Sequence, residues 1–109
     1  MEFKEFAYCS DKYQYTMGKS FMECGNGEKP AVFNLFYRKA PENNNWAVVS
    51  GTEEVLEMVA NLGSMPESFF EKFLPGDGYA EFRHYLAGMK FTGNIYAMKE
   101  GEIAFPNQP

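Results

Sequence analysis

Apolar residues recur along the chain with two periods, and the change of period marks its elements. From residue 12 the spacing is helical. Tyr13, Met17 and Cys24, with Phe21 beside them, fall on one side of a helix. Ser10 or Asp11 stands at its N-cap, and Gln14 follows Asp11 at capping-box spacing. Gly25 is a natural C-terminal stop and "NGEKP" a turn. The residues before this helix, "MEFKEFAYC", carry no strong period and read as a lead-in.

The period then drops to two. In "AVFNLFYR" (31–38), Ala31, Phe33, Leu35 and Tyr37 share one apolar face. Val32, Asn34, Phe36 and Arg38 share a mixed one, which predicts a strand. "APENNN" is a loop, and "WAVVS" (46–50) predicts a second strand.

Helical spacing returns in "GTEEVLEMVANLG". Thr52 is the expected cap, Glu53 and Glu54 favour the positive end of the dipole, and Val55, Leu56, Val59 and Leu62 form the stripe. In "SMPESFFEKFLP", Ser64 and Glu67 have capping-box spacing, with Pro66 in the first turn and Phe69, Phe70, Phe73 and Leu74 inward. Tyr79, Phe82, Leu86 and Met89 predict a third helix of this region. "NIYAM" and "EIAF" flank "KEG" as an expected closing hairpin. The order is helix, two strands, helical insert, hairpin: an α+β domain.

A chain of 109 residues makes one domain and buries a real core. Aromatics are 17% of it, high for this length, which suits a ring-rich core or a surface that docks against something. The net charge of −5 and scattered basic residues disfavour nucleic acid and anionic membranes as partners. Two cysteines and one histidine are too few for a His/Cys zinc site, so no metal ligand is expected. No signal-peptide pattern and no apolar run of membrane-spanning length appears, which predicts a cytoplasmic protein with reduced thiols. Strand pattern continues almost to "FPNQP", so a longer parent protein is expected.

Few residues offer chemistry. His84 reads as a surface histidine, Cys24 as a buried small side chain, and Glu53, Glu54 and Glu57 as a solvated face. "GNG" (25–27) and "GDG" (76–78) lack the context of phosphate loops. No catalytic residue is assigned. Tyr13 offers a flat ring and a hydroxyl, suited to a planar ligand or to core packing. Asp11 can hold a donor or cap the helix, and Arg38 suits a carboxylate or a surface ion pair.

Four blocks carry a resemblance. "DKYQYTM" (11–17), "KPAVFNLFYRKAP" (29–41), "GTEEVLEMV" (51–59) and "FTGNIYAMKEGEIAFPNQP" (91–109) occur in an order and spacing similar to the N-terminal segment of nicotinate phosphoribosyltransferases. Each block alone is weak; four in order are specific, and the resemblance extends over essentially the whole chain from about residue 8, with residues 1–109 as one domain. "PENNN" (41–45) departs from the Pro-Phe-Gly-Gly turn of many relatives.

The resemblance implies the N-terminal α+β domain of a type II phosphoribosyltransferase, without the α/β barrel that follows it. The parent enzyme would transfer phosphoribose from phosphoribosyl pyrophosphate to nicotinate with ATP hydrolysis and magnesium, in NAD salvage. It would work as a homodimer with shared active sites. The family's D-x-Y-x-x-T motif maps onto Asp11, Tyr13 and Thr16: Tyr13 would contact nicotinate in the partner subunit, with Asp11 and Thr16 supporting. The chain alone is expected to be inactive and to hold no cofactor. His84 does not match the family's phosphorylated histidine. Two other readings stand beside this one: a stand-alone interaction module, and a nicotinamide phosphoribosyltransferase relative. In the latter a His typically follows the motif Thr, where this chain has Met17.

Overall fold

The computed structural model describes residues 3–39 and 44–109. Most of the "PENNN" loop lies outside the described residues. Among the described residues there are five helices: α1 (Phe3–Phe6), α2 (Lys12–Glu23), α3 (Thr52–Ala60), α4 (Glu67–Glu71) and α5 (Ala80–Gly88). A 3₁₀ turn (Asp77–Tyr79) leads into α5, and two short strands, β1 (Ala47–Val48) and β2 (Ile103–Ala104), complete the set. The chain divides into two compact units, residues 1–30 with 57–92, and residues 31–56 with 93–109.

The first unit is helical and built on rings. Phe70 and Leu74 are fully buried, and Tyr8, Met65, Phe82 and Leu86 close around them. Phe69 and Phe73 pack at the margin of this core, as the α4 pattern predicts. The rings meet mostly edge to face. Phe70 lies 5.1 Å from Tyr8 and 5.3 Å from Phe69, centroid to centroid, near the T-shaped geometry that the ring quadrupole favours.

The Tyr8 hydroxyl accepts a hydrogen bond from the Gly63 backbone N–H at 2.6 Å, so one side chain fills the core and satisfies the end of the α3 region. The lead-in thus contains a core residue, which its sequence did not signal. Gly63 itself has φ of +80°, and a Cβ there would lie 2.4 Å from the Met89 carbonyl oxygen. Both facts restrict the position to glycine.

Arg83, on α5, is also buried. Its Nη1 donates to the carbonyls of Leu74 at 2.6 Å and Gly76 at 2.8 Å, tying the chain beyond α4 to α5. Its Nε has no partner.

Three expected helix starts form differently. Thr52 does not cap α3 from its own side chain. Instead a Glu100 carboxylate oxygen accepts from the N–H groups of Gly51 at 2.9 Å and Thr52 at 2.6 Å. A carboxylate there meets two orphan donors and the positive end of the helix dipole. Ser64 and Glu67 form no capping box: α4 starts after Pro66, with no side-chain cap bond, and Glu67 pairs with His84. Asp11 holds the N-cap position of α2 in extended geometry, also without a side-chain cap bond.

The second unit carries the sheet. Ala47 opposes Ala104 and Val48 opposes Ile103, antiparallel. Val49 continues the pairing through bonds of 2.9 Å with Glu102 and Gly101.

Three expectations are corrected here. The predicted closing hairpin does not form: β2 pairs with β1, and "NIYAM" is not a strand. The turn between them does exist, with Glu102 N–H bonded to the Lys99 carbonyl. "AVFNLFYR" has the alternation of a strand but forms none. Alternation describes side-chain faces, whereas a strand also needs a neighbouring backbone. Only its end is held, where Tyr37 Oη donates to the Ala104 carbonyl and the Tyr37 carbonyl accepts from Asn107 N–H. The α3 stripe is also less buried than predicted, since Val55 and Leu56 are exposed and Leu62 packs at the core margin.

Candidate functional site

The candidate site is the N-terminal turn of α2, and the two faces of that helix set its geometry. Tyr15, Gly18 and Met22, spaced three and four apart, lie on one face and meet the first unit's core. The Tyr15 ring lies tilted against Phe73, 5.1 Å between centroids, and Tyr15 and Met22 pack against the core cluster. Gly18 lets the Phe82 ring approach, since a Cβ would come within 3.2 Å of it. The Tyr15 hydroxyl donates to the Tyr8 carbonyl, and burial, with the Cys9 and Tyr8 charges adding, pushes the phenol up to about 12. It therefore stays protonated and donating at neutral pH.

Helical spacing places Tyr13, Met17 and Phe21 on the opposite face. They are 61%, 47% and 51% exposed, so the face read from sequence as one apolar side looks to solvent in this chain. Cys24, expected to be buried, is exposed beside it. The helix ends in a Schellman motif: Asn26 N–H bonds to the Phe21 carbonyl, Gly25 N–H bonds to that of Met22, and Gly25 has φ of +72°. An α-helix with apolar groups on both faces covers a core with one and leaves the other free for contact.

Around Tyr13 the first turn is braced from its flank. The Thr16 hydroxyl donates to the Tyr13 carbonyl at 2.9 Å, and the Ser20 hydroxyl to the Thr16 carbonyl at 3.1 Å. Asp11 is exposed, and its carboxylate is not spent on capping. The structure therefore gathers Asp11, Tyr13 and Thr16 at one helix end. It presents a tyrosine ring, a carboxylate and a hydroxyl whose proton is engaged by the backbone.

The remaining candidates lie elsewhere. Arg38 is exposed in the second unit. His84 Nδ1 sits 2.7 Å from Glu67 Oε1 on the surface, an ordinary partnered histidine. Among the described residues no three His, Cys, Asp or Glu side chains gather as a metal ion would require. No described helix is long and apolar enough to cross a membrane.

Sequence reasoning missed Tyr15, although its spacing to Gly18 and Met22 is helical. The stronger-looking Tyr13 stripe masked that second face. Glu100 carried no local signal, because its partners lie 48 and 49 residues away.

Comparison with known proteins bears on this helix and on the whole chain. The family model described as the nicotinate phosphoribosyltransferase (NAPRTase) N-terminal domain matches residues 9–109. The nicotinate phosphoribosyltransferase of Dictyostelium discoideum is 37% identical over 103 residues, covering 92% of this chain and 17% of the relative. That of Bacillus subtilis is 40% identical over 101 residues, covering 92% and 20%. Nicotinate phosphoribosyltransferase 2 of Arabidopsis thaliana is 34% identical over 103 residues, covering 92% and 18%. The chain spans about a fifth of the length of these relatives. No solved structure matches significantly. With the match running from just before α2 through the last residue, this chain belongs to the nicotinate phosphoribosyltransferase family and corresponds to its N-terminal domain.

Proposed function

We propose that this domain is part of a longer type II nicotinate phosphoribosyltransferase. That enzyme would make nicotinate mononucleotide and pyrophosphate from nicotinate and phosphoribosyl pyrophosphate, with ATP hydrolysis, in cytoplasmic NAD salvage. The domain's part in it is to present Tyr13 to the nicotinate ring in the partner subunit of a homodimer. The observation that supports this most is the outward face of α2. Tyr13 stands exposed on the side away from the core, at the tyrosine position of the D-x-Y-x-x-T pattern. A flat ring held on a rigid helix can stack on a planar substrate at little cost in side-chain entropy.

Thr16 supports this role by bracing the Tyr13 carbonyl. Asp11, free of capping, supplies a carboxylate for a donor at the same end. ATP and magnesium enter as reactants of the parent enzyme. The described residues contain no cluster of acidic, His or Cys side chains fitted to a metal ion. The relatives' names favour nicotinate over nicotinamide as substrate.

The test compares two purified proteins for conversion of radiolabelled nicotinate. The full-length protein of the source gene should form nicotinate mononucleotide, and the 109-residue chain should form none. Turnover by the short chain, or none by the full-length protein, would refute the reading.

A further inference from the structure

An exposed ring can meet a substrate only where its backbone carries it, and nothing local fixes the backbone of Tyr13. The Thr16 hydroxyl braces the Tyr13 carbonyl, but both belong to α2 and move with it. Asp11 makes no side-chain cap bond that would tie the helix start. The neighbour that reaches outside the helix is Tyr15. It lies in the same first turn, about 200° around the axis from Tyr13. Its ring meets Phe73, 5.1 Å between centroids, and its hydroxyl donates to the Tyr8 carbonyl.

Tyr8 is a firm anchor. Its ring is buried, 5.1 Å from Phe70 in T-shaped geometry and 5.8 Å from Phe69. The bond from Tyr15 therefore closes the span that leads into α2 and fastens it to a packed ring. Burial, with Cys9 and Tyr8 adding, pushes the Tyr15 phenol up to about 12, so it remains a donor at neutral pH. The other inner contacts lie further along the helix. Gly18 faces Phe82, Lys19 sits over the Tyr79 ring at 5.5 Å, and Met22 packs on the core cluster. These hold the middle and end of α2 and leave its first turn to Tyr15.

We propose that Tyr15 is a positioning residue for nicotinate: its bond to the Tyr8 carbonyl sets the first turn of α2 on the core and so aims the Tyr13 ring. Tyr15 itself touches no substrate. A binding group works only within about 0.5 Å of its productive place, held by neighbours that packing and hydrogen bonds lock. The inference rests on the reading of Tyr13 as the nicotinate contact, and it adds the residue through which the domain's core controls that contact.

The experiment uses the full-length protein and steady-state kinetics. Tyr15→Phe keeps the ring on Phe73 and removes the hydroxyl. It should raise the nicotinate KM about two- to tenfold, the range set by the net worth of one hydrogen bond, with kcat and the phosphoribosyl pyrophosphate KM little changed. Tyr8→Phe is the control for stability. It removes the hydroxyl that accepts from Gly63 N–H but keeps the ring and the carbonyl that Tyr15 uses. It should lower the thermal midpoint and leave the nicotinate KM unaltered. In a Tyr13→Ala background, Tyr15→Phe should have no further effect on KM, because the ring it aims is gone. An unaltered KM in folded Tyr15→Phe would overturn the proposal. So would an equal rise in Tyr8→Phe, or the same fold rise in the Tyr13→Ala background. A raised KM in Tyr13→Ala beside an unaltered one in Tyr15→Phe sinks the positioning role alone. An unaltered KM in Tyr13→Ala sinks the ring contact and the positioning role with it.

Discussion

Tyr13 and Tyr15 differ by two positions and face opposite ways, and that difference assigns their roles. Tyr15 is structural: its ring packs on Phe73 and its hydroxyl is bonded to the Tyr8 carbonyl. Its phenol is pushed from 10.0 up to about 12, chiefly by burial. A raised phenol pKa means that the folded chain holds a proton which the unfolded chain releases. The associated stability is complete below pH 10 and is lost as pH rises from 10 to about 12. Tyr15→Phe should therefore flatten the fall of denaturation midpoint across that window relative to wild type. Equal slopes in the two proteins would show that Tyr15 does not titrate as its surroundings imply. Tyr8→Phe keeps the ring but leaves the Gly63 N–H without its acceptor, and should cost about 1–3 kcal/mol in urea unfolding.

At the scale of elements, helix positions depend on distant groups more than on their own caps. Glu100→Ala removes the acceptor shared by Gly51 and Thr52. It should destabilise the chain by about 0.5–2 kcal/mol, the usual range for a lost N-cap, read as a lower thermal midpoint. Gly63→Ala should cost more than about 1 kcal/mol, because an L side chain at that φ is strained and its Cβ would meet the Met89 carbonyl.

These contacts explain what could be read from sequence. Helices α2 to α5 were legible, because periods of three and four describe them without reference to distant residues, whereas α1 lies in the lead-in, which carries no strong period. Phe70, Leu74, Phe82 and Leu86 were placed inside on that pattern, and all four are buried. The strands were not legible in their pairing. β1 and β2 pair residues that lie 55 and 57 positions apart, and alternation says nothing of which backbone lies alongside. Capping by Glu100 and the core role of Tyr8 are likewise long-range, and no local spacing announces them. Of the candidate site, the motif residues were legible, but the exposed face that makes Tyr13 available was not.

For the molecule as a whole, the aromatic excess has two destinations. Tyr8, Phe69, Phe70, Phe73 and Phe82 build the first unit's core, whereas Tyr13, Phe21, Phe33 and Tyr96 remain in solvent. Apolar surface of this kind promotes association, and a net charge of −5 only partly opposes it. The isolated chain should sediment as a concentration-dependent mixture, and a monomer at all concentrations would argue that these rings are tolerated in water. The central claim concerns one of those rings, that Tyr13 meets nicotinate. Its most direct test is steady-state kinetics of the full-length enzyme carrying Tyr13→Ala, with circular dichroism to confirm the fold. The account predicts a nicotinate KM raised roughly tenfold with kcat little changed, as loss of an aromatic contact worth about 1.4 kcal/mol would give. An unaltered nicotinate KM in a folded Tyr13→Ala enzyme would contradict it.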